Sequence, residues 1–158
     1  MLKVFCQYSE LNIPNLLAVY EDTLMESNRS RFHAEQDFCD YLREDFFRIP
    51  GSYYAVWCHE GQYVSVLRMQ PYEDGFLITG LQTALQARRK GYGTMLISAL
   101  CDGNAAVYSH VHRSNHQSLR LHKKCGFTEV LDYGVLLDGT VSYQYVTLCY
   151  KKRNTTSE

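Results

Sequence analysis

Proline and tryptophan are scarce in this 158-residue chain, at three and one residues, and no apolar run approaches 18 residues. A membrane-spanning helix is therefore not expected. Residues 1–6 also lack the apolar core of a secretory signal, and the two absences together point to the cytoplasm. The six cysteines, Cys6, Cys39, Cys58, Cys101, Cys125 and Cys149, are spread evenly and form no C-x-x-C pair. No disulfide framework is read from that spacing, and reduced, mostly buried thiols are expected. A Walker loop and a G-x-G-x-x-G dinucleotide fingerprint are both missing. A net charge of −1 leaves no footprint for nucleic acid.

What is present suits one globular domain: 46% hydrophobic and 21% charged residues, enough to bury a core without staples. The domain is expected over residues 1–151, with 152–158 as a frayed tail. Its most informative stretch is Arg88-Arg89-Lys90-Gly91-Tyr92-Gly93-Thr94, followed by the apolar run Met95 to Leu100. Three cations run into two glycines and then into residues with the density of a buried helix. A first helical turn offers free N–H groups backed by the positive end of the helix dipole, which suits a phosphate. Glycines there let the backbone approach a ligand and tolerate positive φ. Taken alone, the stretch also fits a basic surface turn that caps an ordinary helix.

A second stretch lies downstream, Asn115-His116-Gln117-Ser118-Leu119-Arg120-Leu121-His122-Lys123-Lys124-Cys125-Gly126-Phe127. The first stretch reads R-x-x-G-x-G and the second N-x-x-S-x-x-L-H-x-K-x-G-F. The two, in this order, resemble the pyrophosphate turn and the following helix of the GNAT superfamily, the acyl-CoA-dependent N-acyltransferases. A nucleotide-binding α/β domain outside that family is the competing reading, and it predicts ATP in place of CoA.

The remaining pattern gives a strand at 2–8, a helix from a Ser9 cap to about residue 26, and a helix over 32–47 stopped by Ile49-Pro50-Gly51. Strands follow at 53–58 and 63–69 around a Glu60-Gly61 hairpin, then at 76–83 after a turn over 71–75. Beyond the glycine turn come a helix, a strand at 105–111, a helix at 115–125, and strands at 130–137 and 141–150 joined by Asp138-Gly139. This order, β-αα-βββ-α-β-α-ββ, is similar to the GNAT order over nearly the whole chain. The resemblance implies an α/β (α+β) GNAT fold: a mixed sheet of about seven strands whose fourth and fifth strands splay apart to admit pantetheine.

The resemblance further implies acetyl-CoA as co-substrate and transfer of acetyl to a primary amine by direct attack. The alternative is an inactive acyl-CoA-binding sensor or interaction module. The cofactor contacts it implies are Arg88, Arg89, Lys90, Gly91, Tyr92, Gly93 and Thr94 around the pyrophosphate. Main-chain groups of Leu81 and Thr83 would hold the arm, and Asn115, Ser118 and His122 would line the second motif. Leu81 would also face the thioester oxygen. His122 stands where many members have a Tyr that protonates the thiolate, so it is the candidate general acid. Where well-studied members place a basic Glu, register puts Leu77. Glu73, beside Asp74 at the preceding turn, is then a weak candidate base.

Charge distribution is consistent with a polyphosphate ligand, since residues 84–125 carry seven Lys or Arg against one acid, Asp102. Residues 20–48 carry eight acids against four arginines. That bias suits a cationic acceptor, or else reflects two solvated helix faces. Tyr20 and Tyr53 are candidate acceptor-pocket residues. His110, His112 and His116 form the one group worth testing against a metal, but no Cys or carboxylate lies at matching spacing, so none is expected. Monomer and homodimer both remain open.

Overall fold

The computed structural model describes residues 1–153. A seven-stranded mixed sheet runs in the order β1-β2-β3-β4-β5-β9-β6, built from β1 (Leu2–Phe5), β2 (Tyr53–His59), β3 (Gln62–Tyr72), β4 (Gly75–Thr83), β5 (Ala106–His112), β9 (Tyr145–Lys151) and β6 (Thr128–Leu131). The helices are α1 (Ile13–Val19), α2 (Glu21–Met25), α3 (Arg31–Glu44), α4 (Tyr92–Gly103) and α5 (His116–Lys124). A two-stranded ribbon of β7 (Gly134–Val135) and β8 (Val141–Ser142) stands apart from the main sheet.

Alternation along the strands divides the core into two layers. Tyr54, Val56, Val64 and Val66 face α1–α3 together with Leu16, Leu42 and Phe46. Ala55, Leu67 and Met69 face the other way, onto Leu96, Ile97 and Leu100 of α4. Both layers are apolar because both faces of β2 and β3 are covered, so these strands carry little polar alternation.

Several boundaries move from their sequence-based positions. The first strand ends at Phe5, and Ser9 lies inside a 3-10 turn, Tyr8–Glu10; Asn12 is the cap, accepting from the Asn15 N–H at 3.1 Å. The first helix breaks at Tyr20 into α1 and α2. Pro71 stays inside β3, leaving Glu73-Asp74 as a two-residue hairpin loop, with Glu73 at φ 48°. The expected last hairpin is interrupted: its tip forms β7 and β8, while β6 pairs directly with β9. Lys152, read as tail, is tied by its N–H to Ala105 O and by its Nζ to Asp102 O; residues 154–158 lie outside the described part.

The sheet's central irregularity is the β4–β5 pair. These strands run parallel and pair only through Phe76–Ile78 with Val107–Ser109, then part. On its other edge β4 carries a bulge, since Val66 opposes Gln82 and Arg68 opposes Thr79, leaving Gly80 and Leu81 outside the register. Gly80 holds φ 61°, a left-handed conformation that favours glycine. At the start of β4, a Cβ on Gly75 would lie 2.0 Å from the Ala106 carbonyl oxygen. Gly75→Ala should therefore push β4 from β5 and cost about 1–3 kcal/mol, read as a lower urea midpoint with an unchanged m-value.

Candidate active site

Where β4 leaves β5, a cleft of about 580 Å³ opens between the C-terminal end of β4, the start of α4 and one face of α5. The sequence builds its floor by withholding partners. Gly91, at φ 82°, caps α4 with no side-chain cap bond, and the first turn returns only the Met95 N–H to Gly91 O. The N–H groups of Tyr92, Gly93 and Thr94 therefore have no intrahelical acceptor and border the cleft with the helix dipole behind them. Gly91 needs its positive φ, whereas Gly93 is helical and matters for closeness. A Cβ there would touch Leu121 at 3.4 Å and the Thr83 hydroxyl at 3.5 Å.

Most of the expected coenzyme residues converge here. Leu81, Thr83, Arg88, Arg89, Gly91, Tyr92, Gly93, Thr94, Asn115 and Ser118 all line the cleft. Lys90 is exposed beside the turn and does not line it. Thr83 O is already engaged, accepting from Arg88 Nε at 3.0 Å. Leu81 is free of both strand registers and is the main-chain candidate at the thioester position. Asn115 spends its Oδ1 on capping α5 through the Ser118 N–H at 3.1 Å, so its amide NH₂ is the group left to donate.

Gln117, Leu121 and Lys124 also line the cleft; Leu121 and Lys124 are second-motif positions of which no coenzyme contact was expected, and Gln117 was not singled out from the sequence. Their i, i+4, i+7 spacing is the signal that marks them as one helical face. Arg88 has a second engagement: its Nη2 donates to Asp22 Oδ2 at 2.6 Å, and Gln82 reaches the other Asp22 oxygen at 3.3 Å. The hydrogen bond from Arg88 holds the Asp22 carboxyl below its ordinary 3.8. This contact joins α2 to the end of β4.

Two expected catalytic positions are displaced. His122 is 1% exposed and edge-on to Phe127, with 5.0 Å between ring centroids. Its Nδ1 donates to Ser118 O at 2.7 Å, and its Nε2 is buried without a partner. Burial lowers its pKa, so the neutral ring has neither a spare proton nor an opening to the cleft. Helix phase explains this, because one residue past Leu121 is a turn of about 100°. Glu73 sits in the hairpin at the far end of β4, eight residues from Leu81 and about 26 Å along an extended strand. It lies beyond reach of the thioester position.

On the opposite face, Tyr20 donates to Gly80 O at 2.6 Å and shares a 2.7 Å hydrogen bond with the Tyr54 hydroxyl. Tyr53, by contrast, packs on Phe76 in the α4 layer, away from that wall. The acidic bias of α2 and α3 is largely internal: Arg31 pairs with Glu21 and Glu35, Arg29 with Asp37, and Arg43 with Asp40. Among the described residues no three His, Cys, Asp or Glu side chains are grouped to hold a metal ion. His110 bonds Thr147 and His112 bonds Ser114 instead. No helix among them is long and apolar enough to cross a membrane.

Two measurements check this geometry. Asp22→Asn should lower the thermal midpoint at pH 7. Because the folded carboxyl titrates below its unfolded value, the gap from the unaltered protein should hold above pH 3.8 and narrow below it. His122→Phe removes a buried unpaired nitrogen together with the Nδ1–Ser118 O hydrogen bond, so the two should largely offset and stability should stay within about 1 kcal/mol in a urea titration, with coenzyme affinity unchanged.

A family model described as the acetyltransferase (GNAT) family matches residues 17–127. Comparison with curated proteins gives no match. Among solved structures, the ribosomal-protein-alanine N-acetyltransferase of Brucella melitensis superposes with TM-score 0.61 at 18% identity, covering 96% of this chain and 99% of that one. Aminoglycoside 6'-acetyltransferase type Ii gives TM-score 0.69 at 14% identity over 96% of each chain. The Campylobacter jejuni N-acetyltransferase PseH, in complex with acetyl coenzyme A, gives 0.62 at 16% identity, covering 97% of this chain and all of that one. The splayed sheet, the uncapped glycine turn and the family match over well more than half of the chain agree: this protein belongs to the GNAT acetyltransferase family and is an acyltransferase of that type.

Proposed function

We propose that the protein transfers the acetyl group of acetyl-CoA to a primary amine of a small molecule or peptide, by direct attack in a ternary complex. One observation carries this reading. The cleft joins an anion-binding helix start to a stretch of β4 main chain that has lost its strand partner. The first suits a pyrophosphate and the second an amide-bearing arm, and they lie along one channel. The pyrophosphate is held by Arg89 and the N–H groups of Tyr92, Gly93 and Thr94. Lys124, across the cleft on α5, adds a cation there. Pantetheine lies between β4 and α5, with the amide of Asn115 donating to it or to the neighbouring backbone.

Leu81 main-chain groups then receive the thioester. An N–H aimed at its carbonyl stabilises the negative charge that grows on oxygen as the amine adds, and does so without reorganising. The carbon–nitrogen bond forms, the carbon–sulfur bond breaks, and CoA leaves as the thiol. Direct attack needs no enzyme nucleophile, and the cleft lining holds no cysteine. The named activities of the fold relatives, on a ribosomal-protein alanine and on an aminoglycoside, are both amine acetylations. The paired acids of α2 and α3 lend little to a cationic acceptor beyond the ion pairs they already make.

A ligand that binds only the folded state at a hundredfold excess over its Kd stabilises it by about 2.7 kcal/mol. Acetyl-CoA and CoA should each produce that shift, while ATP should not. Amine-dependent release of free thiol should follow. Stabilisation without release to any amine would favour a coenzyme-binding module, and no stabilisation by either CoA ligand would remove the assignment of the cleft.

A further inference from the structure

The acetyltransfer proposed above leaves its proton acceptor unassigned, because Leu77 replaces the strand carboxylate and Glu73 is out of reach. The sheet register supplies another group. Ile78 with Ser109 is the last β4–β5 pair, so Thr79 and His110 are the first residues on the two banks of the opening. Tyr54, Arg68 and Thr79 stand opposite one another across β2, β3 and β4, as His110 and Thr147 do across β5 and β9. Together they form one row of side chains, interrupted only where β4 parts from β5. Val107 and Val111 of β5 are buried in the α4 layer. His110, out of phase with both, therefore points to the opposite face, the one Tyr20 and Arg68 share.

The hydrogen bonds around His110 fix its tautomer. Thr147 has one hydroxyl proton and donates it to Tyr133 O at 2.7 Å. Its oxygen must then accept from His110 Nδ1 at 2.8 Å. The ring proton is thereby on Nδ1, and Nε2 keeps its lone pair with no protein partner among the described residues. This differs from His122, whose free nitrogen is sealed in the core.

We propose that His110 is the general base of the transfer, taking a proton from the acceptor amine at Nε2. The amine enters from the α1–α3 face, between Arg68 and His110, towards the thioester at Leu81. One proton of the ammonium passes to Nε2 and on to solvent, and the free amine attacks the carbonyl carbon. As the carbon–nitrogen bond forms and the carbon–sulfur bond breaks, a second proton passes from nitrogen to the thiolate. The products are the amide and the CoA thiol. Tyr72 from β3 stands edge-on to the ring at 5.7 Å, Thr147 from β9 bonds it, and β7 lies against its Cβ at Gly134; its neighbours on β5 are Tyr108 and His112. The charged groups on the neighbouring elements are Arg68, across the opening on β3, and Asp74, held by the Tyr108 hydroxyl; the downward shift of the His110 pKa from 6.5 comes from burial. His110 is then neutral at pH 7, and the base is lost as pH falls through its lowered pKa.

The test compares nucleophiles that need a base with one that does not. Ethylamine, 1,4-diaminobutane and glycinamide are largely protonated at pH 7, whereas hydroxylamine is already uncharged. His110→Gln should lower kcat/KM for the alkylamines by about 10²-fold or more and for hydroxylamine by less than tenfold, with stabilisation by acetyl-CoA retained. In the unaltered protein, nitrogen-15 NMR of the ring should report the Nδ1–H tautomer, whatever the variant's folding. An Nε2–H tautomer, equal losses for both kinds of nucleophile, or no loss would overturn the assignment of His110 alone. Transfer by the unaltered protein to none of these nucleophiles would overturn the acetyltransfer reading and this one with it.

Discussion

The parting of β4 from β5 after three paired residues governs the rest of this molecule. A parallel pair that continued would satisfy the main chain of β4 and close the sheet, leaving no channel. Because it stops at Ile78, the last residues of β4 keep groups that must find partners elsewhere. Some have found side chains: Tyr20 serves Gly80 O and Arg88 serves Thr83 O. Leu81 between them is out of register on both sides, and it is there that a ligand can complete the strand.

That opening lies between two differently built faces. On the α4 side it meets an uncapped helix start and a basic helix, a surface suited to phosphate. On the α1–α3 side it meets phenols, Arg68 stacked on the Tyr41 and Phe46 rings, and the imidazole of His110. The division follows from strand alternation, since neighbours along β4 and β5 must serve opposite faces. Asp22 bridges the two by holding Arg88 and Gln82 at once. A change at the phosphate turn is therefore felt by the helix that walls the other side.

Much of this was legible in the chain. The glycine turn, the helix that begins at Asn115 and the order of elements as far as that helix follow from local spacing, and they stand where spacing puts them. What was not legible depends on phase and length. The motif position of His122 could not reveal that helical rotation turns it from the cleft onto Phe127. Glu73 looked adjacent to the site because strand position was counted without its length, which carries it to the opposite end of β4. His110 attracted notice only as part of a histidine cluster; its significance needed the Thr147 and Tyr133 partners, which are distant in sequence. The broken final hairpin had the same cause, because β6 chooses β9 through long-range pairing that a local pattern does not encode.

The foot of β4 is held to β5 by an atom that is absent. At Gly75 the two backbones come so near that a single methyl group would strike the Ala106 carbonyl. Three paired rows separate that contact from the opening, which starts past Ile78 and Ser109. The wedge is thus anchored from below by main chain against main chain, with no side chain there to shorten, lengthen or rotate. Side chains lining the opening can then change without altering how closely the two strands approach at their root.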